Sequence, residues 1–185
     1  DWDRGVTSID SDGRAVREFL ITAEDKEIEI APGVFFPAWT YNGRVPGPTL
    51  RVTEGERLRI VFRNNGSMPH TMHFHGIHGA SMDGLTGAGE VEPGGEFTYR
   101  FDAYPFGCHL YHCHSIPLKR HIHKGLYGGF IIDPDPDLHP DLDPPAIAIA
   151  RSRQHGTPEN ATWQEMIMVM NGFDTNFDNE NEIYA

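Results

Sequence analysis

Histidine and cysteine are concentrated in two short stretches of this chain. Nine of its eleven histidines lie between His70 and His123. One stretch reads HTMHFHGIH from residue 70, and the other reads YHCHSIPLKRHIHKGLYG from residue 111. Imidazole and thiolate are ligands that copper and zinc prefer in proteins. The concentration of these residues therefore predicts a metal site.

The alternation of side chains along a β-strand divides these residues into two sets. In the His-Cys-His triplet at residues 112–114, the two histidines share one face and the cysteine takes the other. In the stretch at residues 70–75, the second and third histidines share a face, and His70 takes the opposite one on a regular strand. One set then contains His70 and Cys113, and the other contains only imidazoles: His73, His75, His112 and His114.

Each set suits a different kind of metal site. His70 and Cys113, with one further histidine, would make the trigonal His₂Cys arrangement of a blue-copper electron-transfer centre. The all-imidazole set suits copper among several metals. Zinc also accepts cysteine and histidine, but a structural zinc site would use four ligands and leave several of these histidines unused.

Short strands separated by turns are the elements that must position these residues. Alternating apolar residues predict strands at residues 50–52, 58–62 and 97–101, and the run GGFIID from residue 128 is typical of a short buried strand. Helical periodicity is weak, and glycine and proline separate the runs. This pattern predicts an all-β sandwich.

An acidic, proline-rich segment ends the first part of the chain. Residues 133–145 read DPDPDLHPDLDPP, which cannot form the interior of a regular element. We interpret residues 1–145 as a first domain and residues 146–163 as a linker. Residues 164–185 would be the first strand region of a second domain that the remaining length cannot complete.

Charge and hydropathy exclude several functions. The formal net charge is −12, which would repel a phosphate backbone, so nucleic acid is not expected as a partner. No apolar run approaches twenty residues, so no membrane span is expected. The N-terminus carries no signal-peptide pattern, so either the protein is not secreted or a signal has been removed.

The two cysteines are five residues apart on what reads as one extended segment. An odd separation places Cys108 and Cys113 on opposite faces, so a disulfide between them is not expected. We expect Cys108 to be a small buried residue.

Both histidine stretches, together with NGRVPGPTLRVTEGERLRIVFRN at residues 42–64, resemble multicopper oxidases. The resemblance covers residues 35–133 and is nearest to two-domain, laccase-like oxidases that carry type 1 copper in their first domain. It implies a cupredoxin fold, which is a Greek-key β-sandwich. The tail MVMNGFDTNFDNENEIYA is similar to the start of the second cupredoxin domain in those proteins.

The resemblance assigns His70 and Cys113 to type 1 copper. The second histidine ligand is either His121 or His123. In the family it lies five residues before the axial position, with a glycine just before the latter, and the Gly-Leu pair at residues 125–126 favours His121. His123 would then lie near the site or face solvent.

Leu126 takes the axial position, where many blue-copper sites have methionine. Leucine cannot bind copper, so a three-coordinate site with a raised reduction potential is expected. His78 and His109 are expected to be structural or to support ligands rather than to bind metal.

The remaining motif residues resemble the ligands of a trinuclear copper cluster. His73 matches the type 2 ligand, and three histidines match type 3 ligands: His75, His112 and His114. Asp83 stands where the family places a carboxylate near type 2 copper, and it could relay protons to reduced oxygen species. The alternative for Asp83 is an ordinary Asp-Gly turn.

The resemblance implies an enzyme that needs a second domain. A trinuclear cluster in this family uses eight histidines, and these 185 residues supply four. The others would come from a second cupredoxin domain of a neighbouring subunit, which implies a homotrimer with about four coppers per complete protomer. The enzyme would oxidise a phenol-like donor or a metal ion and reduce O₂ to water. A periplasmic or secreted location is expected.

Three other functions remain open. A copper nitrite reductase shares the fold and the trimer, but it has a mononuclear type 2 site and no histidine directly after the type 1 cysteine. His114 therefore argues against this function. A Cu(I) or Fe(II) oxidase would differ in acidic or methionine residues near type 1 copper. A one-domain electron carrier would need only the type 1 ligands: His70, Cys113 and His121.

Overall fold

The computed structural model describes residues 2–142 and 166–175, which form a β-sandwich as predicted. The strands are β1 (Trp2–Asp3), β2 (Val6–Ile9), β3 (Ala15–Ala31), β4 (Val34–Tyr41), β5 (Thr49–Thr53), β6 (Arg57–Asn64), β7 (His73–Phe74), β8 (Glu96–Asp102), β9 (Gly107–His112) and β10 (Tyr127–Asp133). A 3₁₀ helix spans Ala80–Met82, and one α-helix, α1, spans Leu118–His123. Within the described ranges, neither helix has the length and hydrophobicity to cross a membrane.

Two sheets pack face to face. One has the order β1-β5-β10-β9-β7, and the other has the order β2-β3-β6-β8 with β4 paired to β3. Parallel pairs join β5 to β10 and β3 to β6, so the chain crosses between the sheets. The antiparallel pairing of β7 with β9 sets His73 opposite His112. This pairing brings the two histidine stretches side by side.

The strands predicted from alternation are confirmed as β5, β6 and β8, and the predicted short buried strand is confirmed as β10. On β6 the alternating residues Leu58, Ile60 and Phe62 are fully buried. Strand β5 departs from simple alternation because Arg51 is also buried. Its guanidinium bonds to the Asp133 carboxylate at 2.7 and 2.9 Å, and this pairing offsets part of the cost of burying both charges.

Helix α1 was not expected from the sequence. It starts after Pro117 and ends at His123, and Gly125 soon follows with a φ of +121° that is unfavourable for other residues. A Cβ at Gly125 would lie 2.4 Å from a methyl carbon of Val45. The glycine therefore permits the tight return that takes Leu126 into the core.

The predicted second domain falls mostly outside the described residues. Strand β10 ends at Asp133, and residues 134–142 contain turns and irregular backbone. The linker at residues 146–163 lies outside the described residues. Of the predicted strand region at 164–185, residues 166–175 have no regular secondary structure, and Phe173 packs on Phe36 at 5.0 Å between ring centroids. The second domain stays a prediction.

Candidate functional site

Three side chains meet in the buried core at one end of the sandwich. The Nδ1 atoms of His70 and His121 are 3.1 Å apart. The Cys113 Sγ atom lies 3.2 Å from the His121 Nδ1 atom and 3.9 Å from that of His70. All three residues are fully buried. The structure thus brings together the three predicted type 1 ligands, which we call the buried group.

Three separate parts of the backbone position the buried group. His70 forms an isolated bridge with Val91. Cys113 directly follows β9, and its N–H donates to the carbonyl of Leu126 at 3.0 Å. His121 lies on α1, so the helical turn returns the chain to the cysteine eight residues later.

Burial disfavours charge in the buried group. Desolvation, with the neighbouring His121, lowers the pKa of His70 to about 3. Desolvation, with the adjacent Arg120, lowers the pKa of His121 to about 4. Burial also raises the pKa of the Cys113 thiol, although the Thr71 N–H donates to its sulfur at 3.4 Å. Both imidazoles are therefore neutral near pH 7, as metal ligands must be.

The donor atoms of the buried group fit a trigonal metal site. Two imidazole nitrogens and one sulfur converge within 4 Å of one another. In the part of the chain that the structure describes, no further His, Cys, Asp or Glu joins them. Leu126 is buried in the same cluster and has no donor atom. Three ligands fit a His₂Cys copper site better than the four-ligand pattern of structural zinc.

Four other histidines lie on the opposite side of residues 112–114: His73, His75, His112 and His114. Only His75 is exposed and the other three are half-buried, and we call the set the exposed group because it opens to solvent at His75. The Nε2 atoms of His75 and His112 are 2.8 Å apart. The rings of His73 and His114 are 4.4 Å apart. Donor atoms of His73, His75 and His112 all lie within 4.8 Å of one another, which is close enough to hold a metal ion.

Backbone carbonyls orient the exposed group. The Nδ1 atom of His73 donates to the carbonyl of Asp83 at 2.8 Å, and that of His114 donates to the same carbonyl at 3.3 Å. The His112 Nδ1 atom donates to the Cys113 carbonyl at 2.8 Å. These bonds place the ring proton on Nδ1 and leave Nε2 available as a ligand. Burial lowers the pKa of His112 to about 4 and also lowers that of His73.

Asp83 touches the exposed group and also forms a turn. Its Oδ1 atom lies 3.3 Å from the His73 Nδ1 atom, and its Oδ2 atom lies 3.7 Å from that of His114. Gly84 follows with φ of +78°, as the Asp-Gly turn requires. His78 is the nearest further histidine, with its Nε2 atom 3.9 Å from the carboxylate. The two interpretations of Asp83, as a carboxylate beside the exposed group and as part of an Asp-Gly turn, are thus compatible.

Thr71 connects the two groups, and sequence reasoning missed it. Its backbone N–H donates to the Cys113 sulfur, and its hydroxyl accepts the His114 N–H at 2.7 Å. Trp39 was also missed: its ring lies 5.1 Å from that of His70 and 4.8 Å from that of His121. Thr71 lies within the first histidine stretch but is neither histidine nor cysteine, and Trp39 is distant in sequence from the histidines it touches, so the ligand pattern marks neither residue.

The remaining predictions have mixed outcomes. Cys108 is exposed on β9, so the expectation that it is buried is wrong. Its position on the strand turns the side chain away from the core. His109 donates to the Pro105 carbonyl at 2.9 Å, and His123 is half-buried on α1. Neither belongs to the buried group or to the exposed group.

Comparison with known proteins identifies one family. The family model described as multicopper oxidase matches residues 22–137. A solved structure of a multicopper oxidase is 62% identical, with a TM-score of 0.70 over 72% of this chain and 48% of that chain. These matches confirm that the sandwich is cupredoxin-like.

Nitrite reductases are also among the relatives. A copper-containing nitrite reductase of Neisseria meningitidis is 34% identical over 138 residues, which cover 74% of this chain and 35% of that protein. The copper nitrite reductase structure from Nitrosomonas europaea is 32% identical, with a TM-score of 0.60 over 65% of this chain and 42% of that chain. The chain therefore spans about a third of the length of that curated relative.

Proposed function

The chain belongs to the multicopper oxidase family, and we propose that it is a laccase-like oxidase that couples one-electron oxidation of a small donor to the reduction of O₂ to water. The observation that carries this proposal is the exposed group. His73 and His114 share one carbonyl of Asp83, while His75 and His112 meet beside them. A mononuclear site would leave part of this four-histidine set without a role.

We assign the buried group to type 1 copper and the exposed group to a trinuclear cluster. His70, Cys113 and His121 would hold the first copper, with Leu126 non-ligating. In the exposed group, His73 would bind type 2 copper, and the type 3 ligands would be His75, His112 and His114. The bound coppers would supply one-electron transfer at the first site and four-electron reduction of O₂ at the second.

The protein residues between the two groups would carry the electrons and hold the ligands in place. The peptide bonds on either side of Cys113 connect it directly to His112 and His114, which makes a short covalent route. Thr71 holds both ends of that route through its N–H and hydroxyl. Asp83 fixes the rings of His73 and His114, and its carboxylate would pass protons toward the cluster.

The exposed group would need further ligands from a second cupredoxin domain. We propose that a neighbouring subunit of a homotrimer supplies them, with about four coppers per complete protomer. The open side of this group, where His75 is exposed, supports this arrangement. We propose a periplasmic or secreted location with it.

Nitrite reduction is the second candidate function. Relatives named as copper-containing nitrite reductases, 34% identical over 138 residues, favour it. A nitrite reductase would need only a mononuclear type 2 site, and His114 would then have no ligand role.

Acceptor assays on the copper-loaded oligomer, with the proposed second domain present, separate these candidates. With one organic donor, an oxygen electrode should record one O₂ consumed per four donor electrons, without peroxide. A nitric oxide electrode should record no product from nitrite under anaerobic conditions. Nitric oxide formation without O₂ uptake would show that the protein is a nitrite reductase and not an oxidase.

A further inference from the structure

A cavity of about 440 Å³ opens beside the buried group. Trp39 forms its inner wall and is only 5% exposed. The same indole contacts the rings of His70 and His121, at 5.1 and 4.8 Å between centroids. The volume suits a small organic molecule. Such a molecule would be separated from both imidazoles by one aromatic ring.

The inner part of the cavity is positively charged. The Lys124 Nζ atom lies 5.2 Å from the centroid of Trp39, and the Arg120 Cζ atom lies 5.5 Å from it. Lys124 is only 2% exposed. Both residues come from α1 or the residue after it, so the helix that carries His121 also brings these cations to the cavity.

The part of the cavity that β3 lines carries both signs of charge. Asp25 and Glu27 line it together with Lys26, and all three residues are exposed. The Asp25 carboxylate also accepts the Ser67 N–H at 3.4 Å. Water and salt screen these exposed carboxylates, whereas the charge of buried Lys124 is screened much less. At the inner wall, the cations therefore dominate the potential.

We propose that this cavity binds a small aromatic electron donor that carries an anionic group, with the anion directed to Arg120 and Lys124. The proposal rests on the proposed oxidase function and specifies its donor. A phenolic donor of this kind would lose one electron to oxidised copper at the buried group and its hydroxyl proton to water.

A metal ion fits the cavity less well as the donor. Met68 and two carboxylates line the cavity, as a Cu(I) or Fe(II) oxidase would require. However, within the described residues, Asp25 and Glu27 belong to no convergent set of three metal-ligating side chains. A cation would also approach Lys124 and Arg120 at the wall nearest the histidines, where like charges repel.

Binding of redox-inert probes to the copper-free protein tests the proposal without relying on catalysis. Titration calorimetry would compare benzoate with benzylamine, which have similar rings and opposite charges. Benzoate should bind more tightly, and Arg120→Gln and Lys124→Gln should each weaken it by about tenfold or more, as expected for loss of a charged hydrogen bond. Arg120→Lys should restore part of the affinity.

Lys119→Gln is the matched control. Lys119 lies on the same helix and carries the same charge, but it does not line the cavity. Its replacement should leave benzoate binding unchanged. Tighter binding of benzylamine, or equal losses in all three charge-removing variants, would overturn the proposal. Benzoate binding in a protein that consumes no O₂ would instead refute the oxidase function and leave the cavity assignment intact.

Discussion

The buried and exposed histidine groups share three consecutive residues, yet they are built in opposite ways. In the buried group, two imidazoles turn their Nδ1 atoms toward each other and toward a thiol. In the exposed group, carbonyl groups hold the Nδ1 atoms of His73, His112 and His114, so the Nε2 atoms are left to bind.

This difference indicates how each group would be completed. The buried group is enclosed by the core of one chain and has three converging donors, so it can form a site without a partner. The exposed group opens to the surface at His75. Its ligands are oriented before any partner arrives, which would lower the cost of assembling a cluster between subunits.

Cys113→Ser should have the largest effect on the buried group. It removes the thiolate, so the intense blue absorption of the copper-loaded protein should disappear while the fold is retained. Visible absorption and circular dichroism measure the two properties. Cys108→Ser is the control, since Cys108 is exposed on the adjoining strand and should leave the colour unchanged. A blue Cys113→Ser protein would exclude this site as type 1 copper.

His121→Ala should also bleach the protein, whereas His123→Ala should not. Both residues lie on α1, but only His121 points its Nδ1 atom at the sulfur, at 3.2 Å. Parallel copper titrations of the two variants, followed by visible absorption, make this comparison. If His123→Ala bleached the protein and His121→Ala did not, His123 would be the copper ligand.

Acid should destabilise the copper-free protein through the buried histidines. Their pKa values in the folded state are about 3 for His70 and about 4 for His121, below the unfolded value of 6.5. Above pH 6.5 neither state is protonated. As pH falls below 6.5, the unfolded state binds protons first, so the free energy of unfolding should decrease by about 1.4 kcal/mol per pH unit for each histidine.

Urea denaturation between pH 6.5 and 5 would measure this slope above the main range of carboxylate titration. His121→Gln should remove the contribution of that residue. A slope that is identical in the variant would show that His121 does not titrate as its burial requires.

Thr71→Val should have the smallest effect, and it tests the connection that Thr71 makes between the two groups. It leaves the His114 N–H without the hydroxyl that now accepts it at 2.7 Å, at a cost of about 1–3 kcal/mol. The backbone N–H to Cys113 is retained, so the blue band should persist with a modest shift. Thermal unfolding and visible absorption measure both changes, and Thr71→Ser should behave as wild type. Loss of the blue colour would mean that the hydroxyl itself determines the copper site.

The sequence predicted the two histidine groups because strand alternation is a local rule. Residues 112–114 place Cys113 in the core and the flanking histidines on the other side, as period-two geometry requires. It could not predict Trp39, which reaches the histidines only through the packing of β4 against α1. Nor could it predict α1, because a six-residue helix is too short for a periodic pattern.

Burial of single residues was predicted less well than the groups. Cys108 is apolar by type, but its face of β9 points outward, and nothing in the local sequence shows which face of that strand is covered. Arg51 is charged yet fully buried, because Asp133 from the neighbouring strand meets it. Both results depend on which strands are neighbours in the sheet, which is a property of the fold.

If the exposed group reduces O₂, His114→Ala should stop that step while leaving the buried group intact. The copper-loaded oligomeric variant would be reduced by donor, mixed with oxygenated buffer and followed by stopped-flow absorbance at the blue band. We expect wild type to regain its colour rapidly, while the variant accepts electrons from the donor but stays colourless. Return of the blue band at the wild-type rate would show that His114 takes no part in O₂ reduction, and retained nitrite reduction in the same variant would favour the nitrite reductase.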